Sequence, residues 1–392
     1  MLSYNLQGGL KSMTISRAYK FRLYPTKEQE YIINSFIGSS RFIYNHYLYN
    51  NKNNNFFNLY NSIKDLPRLK TEYEWLKEVD SNILQTSLKD LACAYDKYNK
   101  GQAGYPKFKK KGYNGSYRTN AIRGNYKEND YCNIIVDLKA RTIKLPKLGK
   151  VKIRGYRNIK EFAYKILNVT VSKDANRYYV SVCIEEEIET KDIIPTTAVG
   201  IDLGIKTLVT TSYGEKYDKI DISKEEKRIV KLQRKLSRQK KGSNNYNKTR
   251  IKIERLYQKI RNKRKFISHE ITTRLVKEND IIITETLKVK EMIMKKEHKL
   301  SKYITNSVLS EIIRQLKYKS SWRCKKIVQL STYYASSQIC SHCEYKNKKI
   351  KDLSVRSYIC PKCGCKNDRD INASVNILYE GIIKYYKELL SV

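Results

Sequence analysis

The chain has 392 residues, enough for two or three domains that each bury a core. No run of about eighteen apolar residues occurs and the first twelve residues lack the pattern of a secretory signal, which argues against a membrane span and for a cytoplasmic protein. Lys and Arg number 79 against 39 Asp and Glu, and a formal net charge of +40 would repel the molecule from itself unless a polyanion neutralised it, so nucleic acid is the expected partner.

Residues 16–24 alternate aromatic, apolar and basic side chains as a half-buried strand does, and Pro25 ends it. Thr26 and Gln29 have capping-box spacing, and Tyr31, Ile32, Phe36 and Ile37 then recur at helical intervals. In residues 81–98, Leu84, Leu88, Leu91 and Tyr95 form one apolar stripe for the core. The opposite face carries Asn82, Gln85 and Lys89, which suit either a solvated surface or the reading of base edges. Residues 104–111 interleave aromatics with bases, so Tyr105, Lys107, Phe108 and Lys109, with Arg22 and Tyr24 of the first strand, are candidate nucleic-acid contacts. A solvated basic loop would look similar. From 133 to 185 the pattern turns to strands, clearest where Tyr178, Val180, Val182 and Ile184 share one face. Residues 193–198, containing Pro195, read as a linker.

A hairpin follows, with apolar residues 199–201, Asp202, and a second strand over 206–212. Residues 223–267 predict two helices broken at 242–245, with about eighteen Lys and Arg against about three acids, a nucleic-acid-facing arm on which Arg234 and Arg238 are candidate contacts. Residues 280–284 suit a strand covered on both faces, and Glu285 follows at once. A helix over 308–325, a strand over 327–330, a cysteine cluster and a closing helix over 370–390 complete the chain.

Of nine cysteines, five crowd into residues 340–365. Cys340-x-x-Cys343 and Cys360-x-x-Cys363 are sixteen residues apart, the spacing of a tetrathiolate zinc ribbon that closes a tetrahedron around one structural Zn²⁺. Cys365 is an alternative ligand, and His342 is expected to be exposed. The four histidines form no hydrolase pair, so carboxylates must carry any catalysis; Asp202, Glu285 and Asp370 stand at strand ends and a helix start, where acids also merely cap or pair.

Taken together, residues 13–378 resemble the TnpB family of insertion-sequence proteins, relatives of type V CRISPR effectors. The resemblance rests on Tyr19-Lys-Phe-Arg-Leu-Tyr-Pro25 with Gln29, Arg41-Phe-Ile-Tyr-Asn45, Tyr105-Pro-Lys-Phe-Lys109, Val199-Gly-Ile-Asp-Leu-Gly-Ile-Lys206, Thr284-Glu-Thr-Leu287, the four cysteines and Asp368-Arg-Asp-Ile-Asn-Ala373. It implies a multidomain α+β chain: an extension over 1–12, a first wedge strand over 13–25, an inserted helical recognition lobe over 26–104 and a β-rich wedge module over 105–195 forming a β-barrel. It further implies an RNase H-like (RuvC) nuclease domain over 196–331 carrying the basic hairpin, a zinc-ribbon insertion over 332–366 and a C-terminal nuclease helix over 367–392.

The resemblance also implies that Asp202, Glu285 and Asp370 bind two catalytic Mg²⁺, with Asp368 the rival for the third place. The implied partners are a guide RNA from the element's own end, with one protein per RNA, and target double-stranded DNA beside a short motif read by the protein. No membrane is involved, and the site of action would be the prokaryotic nucleoid. Alternatives are a nuclease-dead guided repressor, which should have lost an acid, and a transposase accessory protein. Glu344 replaces the usual knuckle glycine and Thr286 the usual Asp or Asn after the catalytic Glu, while Met13 stands where the family usually starts.

Overall fold

The computed structural model describes residues 11–52, 54–112, 114–124, 131–155, 164–190, 194–205, 207–286, 308–332, 334–351 and 355–391. Most of the expected N-terminal extension, Lys206 and Leu287 lie outside them. The chain divides into two compact units: one of residues Ser12–Ile188 with Asn247–Arg255, the other of Met1–Lys11, Glu189–Tyr246 and Leu256–Val392.

The first unit runs β1 (Lys11–Tyr24), α1 (Lys27–Asn50), α2 (Leu59–Glu72), α3 (Ser81–Asn99), β2 (Gly115–Asn120), β3 (Arg123–Gly124), β4 (Tyr131–Cys132), β5 (Ile135–Asp137), β6 (Thr142–Leu145), β7 (Gly149–Arg154), β8 (Tyr164–Asp174) and β9 (Arg177–Thr190). Thr26 and Gln29 form the expected capping box of α1, and the Gln29 amide also donates to the Lys150 carbonyl at 2.9 Å, tying the helix start to β7. Seven strands form a sheet in the order β2-β8-β9-β1-β7-β6-β5.

Where a closed barrel is expected, β2 and β5 are its edges among the described residues. The β2 edge is covered by α3, whose Thr86 hydroxyl donates to the Arg118 carbonyl at 2.6 Å and so occupies an acceptor that a further strand would need. The predicted stripe Leu84, Leu88, Leu91 and Tyr95 is buried, but so are Ile83, Thr86 and Ser87, because α3 is pressed between α1 and β2. Helices and sheet share one core, in which Ile33, Leu84 and Leu88 join Val169, Val180 and Val182, so no gap in packing falls at residue 104.

The second unit runs β10 (Ala198–Asp202), β11 (Thr207–Thr211), β12 (Lys216–Asp218), α4 (Ser223–Ser237), α5 (Asn244–Glu278, of which Asn247–Arg255 belongs to the first unit), β13 (Ile281–Glu285), α6 (Leu309–Ser321), β14 (Lys326–Leu330), β15 (Ser357–Ile359), β16 (Lys366–Asp368) and α7 (Arg369–Leu390). Five strands are ordered β12-β11-β10-β13-β14; β13 is parallel to both β10 and β14, while β11 runs antiparallel to β10.

Helix α5 continues eleven residues past the expected end at 267. Its β-branched last turns are poor helix formers in isolation, but Ile271, Leu275 and Val276 are buried with Val199, Ile201, Ile312 and Leu316, and that burial overrides propensity. The basic hairpin forms as expected, closed by Glu225, which is 4% exposed and accepts from Lys259 and Lys263 Nζ at 2.9 Å each. No helix of the described residues is long and apolar enough to cross a membrane.

Candidate active site and metal centre

The placing of the acids begins with alternation along β10. Val199 and Ile201 point into the core made with α5 and α6, so Gly200 and Asp202 face the other way. On that other face lies α7. A Cβ on Gly200 would stand 2.2 Å from the Ser374 carbonyl oxygen, and one on Gly381 would stand 2.1 Å from Ile283 Cγ2. These two glycines let the helix rest directly on the sheet, with Ile283 and Ile377 packed between them. Helix α7 passes Ser374 and Leu378 over β10 and Gly381 over β13, and beyond them Lys384 donates to the Gln329 carbonyl of β14 at 2.7 Å. Its first turn, carrying Asp370, therefore falls on the β10 side.

Ile201 pairs with Thr284 in the parallel ladder, so Asp202 and Glu285 are the next neighbours, on strands about 4.8 Å apart with side chains on the α7 face. All three acids are half-buried. Burial, then the charges of Glu285 and Asp370, push the Asp202 carboxyl up to about 7, against the opposing pull of the Leu203 amide and Arg369. Burial also raises Glu285, although the Ser336 hydroxyl donates to its Oε1 and works the other way. Arg356 Nη1 lies 3.5 Å from Asp370 Oδ2.

The three carboxylates are hard oxygen donors of the kind a divalent cation takes, although among the described residues only the four cysteines bring their ligand atoms within 4.8 Å of one another. Asp368 is differently engaged. Its Oδ1 caps α7 by accepting from the Asp370 and Ile371 amides at 3.1 Å each, and its Oδ2 takes Lys216 Nζ at 2.7 Å. Burial alone would raise Asp368, but Lys216 and the two amides more than offset it and hold the carboxyl below its usual range.

The four predicted cysteines come together, every Sγ within 4.8 Å of the others. Cys340 and Cys363 Sγ are 3.7 Å apart, Cys343 and Cys360 Sγ 3.6 Å, close to the roughly 3.8 Å edge of a tetrahedron with 2.3 Å Zn–S bonds. The thiolates thus fit one zinc ion. Each knuckle is closed alike: the Glu344 amide donates to the Cys340 carbonyl and the Gly364 amide to the Cys360 carbonyl, both at 2.9 Å. Buried Asn367 donates to Cys340 Sγ at 3.6 Å, the support a thiolate ligand needs. Cys365 is outside the tetrad and His342 is exposed.

The predicted nucleic-acid contacts fall into two groups. Lys107, Phe108, Arg234 and Arg238 are exposed, as is Tyr24, while Asn82, Gln85 and Arg22 are half-exposed. The Arg22 guanidinium lies 5.3 Å from the ring centres of both Tyr24 and Tyr179. Tyr105, expected as a stacking surface, instead sets its ring edge-on to Tyr95 and Tyr98 and shares a 2.9 Å hydrogen bond with the Tyr95 hydroxyl. The Lys109 ammonium sits 4.0 Å from the Tyr44 ring centre, and its backbone is clamped by the Asn45 amide at 2.8 and 2.9 Å. Sequence reasoning missed Ser336, Asn376, Arg356 and Lys216; each acts by a long-range contact that no local spacing announces.

Residues 181–296 match the OrfB_IS605 family model, described as "Probable transposase", and residues 310–377 match the "Cas12f1-like, TNB domain". Residues 13–54 match a "Helix-turn-helix domain" model of the same group, although here they hold one strand and one helix, β1 and α1. The "Putative RNA-guided DNA endonuclease InsQ" of Escherichia coli (strain K12) is 33% identical over 386 residues, covering 93% of this chain and 92% of that one. A "Putative RNA-guided DNA endonuclease" of Streptomyces pristinaespiralis is 32% identical over 379 residues, covering 94% and 90%. Among solved structures, a Cas12f1–sgRNA–target DNA complex shares the fold with a TM-score of 0.54 at 13% identity, covering 93% of this chain and 98% of that one.

Proposed function

The chain belongs to the TnpB (OrfB) family of insertion-sequence proteins, and we propose that it is an RNA-guided DNA endonuclease whose hydrolytic centre is Asp202, Glu285 and Asp370 in an RNase H-like domain. The observation that carries this reading is the gathering of the three acids on the α7 face, where burial first, and then the charges of Glu285 and Asp370, push the Asp202 carboxyl up to about 7. Like charges held together at such a cost point to function rather than stability.

Two divalent cations held by these carboxylates would supply an activated water and a charge clamp on the leaving oxygen. The chain's own residues do the rest. Asp202 and Glu285 are fixed by strand register, and Asp370 by the Asp368 cap at the start of α7. Engagement of both Asp368 oxygens supports Asp370 as the third acid and Asp368 as its positioning residue. The residues 332–366, zinc-loaded, are the ribbon that contacts the target nucleic acid, and the first unit takes the wedge and recognition roles.

Partners are a guide RNA from the element's end and double-stranded target DNA, with the +40 charge offsetting their phosphates. Lys107, Phe108, Arg234 and Arg238 are the exposed candidates for those contacts. The test is to purify the protein from cells that also carry its flanking DNA, sequence the bound RNA and offer matched DNA with Mg²⁺. A discrete RNA and cutting that disappears in Asp202→Ala are expected. A protein that carries no discrete RNA would refute guidance, and an Asp202→Ala variant that still cuts would refute the site.

A further inference from the structure

Ser336 opens a short 3-10 turn, Ser336–Gln338, and is 5% exposed. Its hydroxyl donates to Glu285 Oε1 across 51 residues of sequence. Its carbonyl accepts from Asn376 Nδ2 at 2.8 Å, and the same amide donates to the Ile339 carbonyl at 2.7 Å. One turn earlier on α7, Asn372 donates to that Ile339 carbonyl at 2.6 Å and accepts from the Ser341 amide at 2.8 Å. Both asparagines are buried, 3% and 5% exposed. Residues 336–341 are thus pinned by two side chains of the helix that carries Asp370, and Cys340, within that run, is the first cysteine of the ribbon.

We propose that Ser336 is a positioning residue for Glu285: its hydroxyl holds Oε1 and leaves Oε2 for the cation, while Asn376 and Asn372 make that placement depend on the ribbon and α7. The proposal rests on the reading of Glu285 as a cation-binding acid. A glutamate carries three rotatable bonds, so without a fixed donor its carboxylate would sample several directions. Hydrogen bonds to the far oxygen of a ligating carboxylate orient it, and removing such a partner typically weakens metal binding about 10-fold to 100-fold. A buried serine that only filled space would not need a carbonyl pinned from one side and a hydroxyl aimed to the other.

The test uses the guide-loaded protein as Ser336→Ala, Ser336→Thr and Glu285→Gln. Cleavage is followed against Mg²⁺ concentration, Mn²⁺ binding is read by electron paramagnetic resonance with uncleavable matched DNA, and zinc content and target affinity are measured alongside. For Ser336→Ala the Mg²⁺ needed for half-maximal rate and the Mn²⁺ dissociation constant should both rise about 10-fold or more, with zinc and target binding unchanged. Ser336→Thr, which keeps the hydroxyl, should return to within about threefold of the parent. Unchanged cation dependence in Ser336→Ala would overturn the proposal, as would a Thr variant no better than Ala. Loss of zinc together with cutting would overturn it too, by making the residue part of the ribbon's scaffold. Full cutting by Glu285→Gln would instead defeat the active-site reading itself.

Discussion

Asp202 and Glu285 are neighbours across the parallel pair β10 and β13, one step past the Ile201–Thr284 pairing, and their side chains share the face on which α7 lies. Removing one charge from this cluster separates activity from stability. Asp202→Asn should cut on the order of a thousandfold more slowly or not at all, yet melt at a higher temperature than the parent in magnesium-free buffer, because the cost of burying a carboxylate, and with it the repulsion from Glu285 and Asp370, is relieved. Differential scanning calorimetry beside a cleavage assay checks both; a variant that melts lower would show that the ionised Asp202 carboxylate costs the fold nothing.

Gly200 is required for contact rather than for backbone freedom. A methyl group there would meet the Ser374 carbonyl, so Gly200→Ala should lower stability by about 1–3 kcal/mol or more and push the first turn of α7 away from Asp202. Denaturant titration should register the loss, and cutting should fall with it. A Gly200→Ala protein of parental stability would mean that α7 is not seated on β10.

The ribbon feeds directly into that turn, since β16 ends at Asp368, which caps α7. Cys360→Ser should therefore lose bound zinc and weaken cutting through Asp370, while guide RNA stays bound. Metal analysis, RNA retention and cleavage on one preparation test the chain of effects. Full activity without zinc would break it.

Glu344 has φ +61°, the left-handed conformation adopted by Gly364 (φ +72°) at the matching place in the second knuckle. Strain of about 1 kcal/mol attends a non-glycine residue there, so Glu344→Gly should stabilise the ribbon by up to that amount and slow zinc release to a chelator. Faster release from Glu344→Gly would contradict the assignment of strain.

Glu225 is held down to about 2 by its hydrogen bonds to Lys263 and Lys259. A carboxylate depressed in the folded state contributes stability that is present above its unfolded value near 4.5 and is lost as pH falls through about 2. Parent and Glu225→Gln should thus differ most at neutral pH, and their melting temperatures should converge between about 4.5 and about 2. A difference that persists at pH 2 would assign the loss to packing instead.

Local features were the most legible. The Thr26–Gln29 box, the Leu84 to Tyr95 stripe, the buried face of Tyr178 to Ile184 and the cysteine tetrad each depend on residues close in sequence, and each lies where its spacing placed it. What depends on distant partners was not legible. Alternation on β10 identifies Asp202 as an outward acid, but only pairing with β13 sets Glu285 beside it. The same holds for the last turns of α5, whose helical state comes from burial against β10 and α6. It also holds for Tyr105, drawn into an aromatic cluster by Tyr95 and Tyr98. Glu344 was legible as a departure, since it stands at the usual knuckle glycine, but its left-handed φ of +61° shows only in the structure.

The three acids lie 83 and 85 residues apart along the chain, counting 202 to 285 and 285 to 370, and the ribbon falls wholly within the second interval. A ribosome delivers them in that order, with on the order of ten seconds between the second and the third. A growing chain would therefore hold the first two acids of the proposed centre well before the third. On the proposed assignment, the third acid would follow only after the zinc-binding segment had been made.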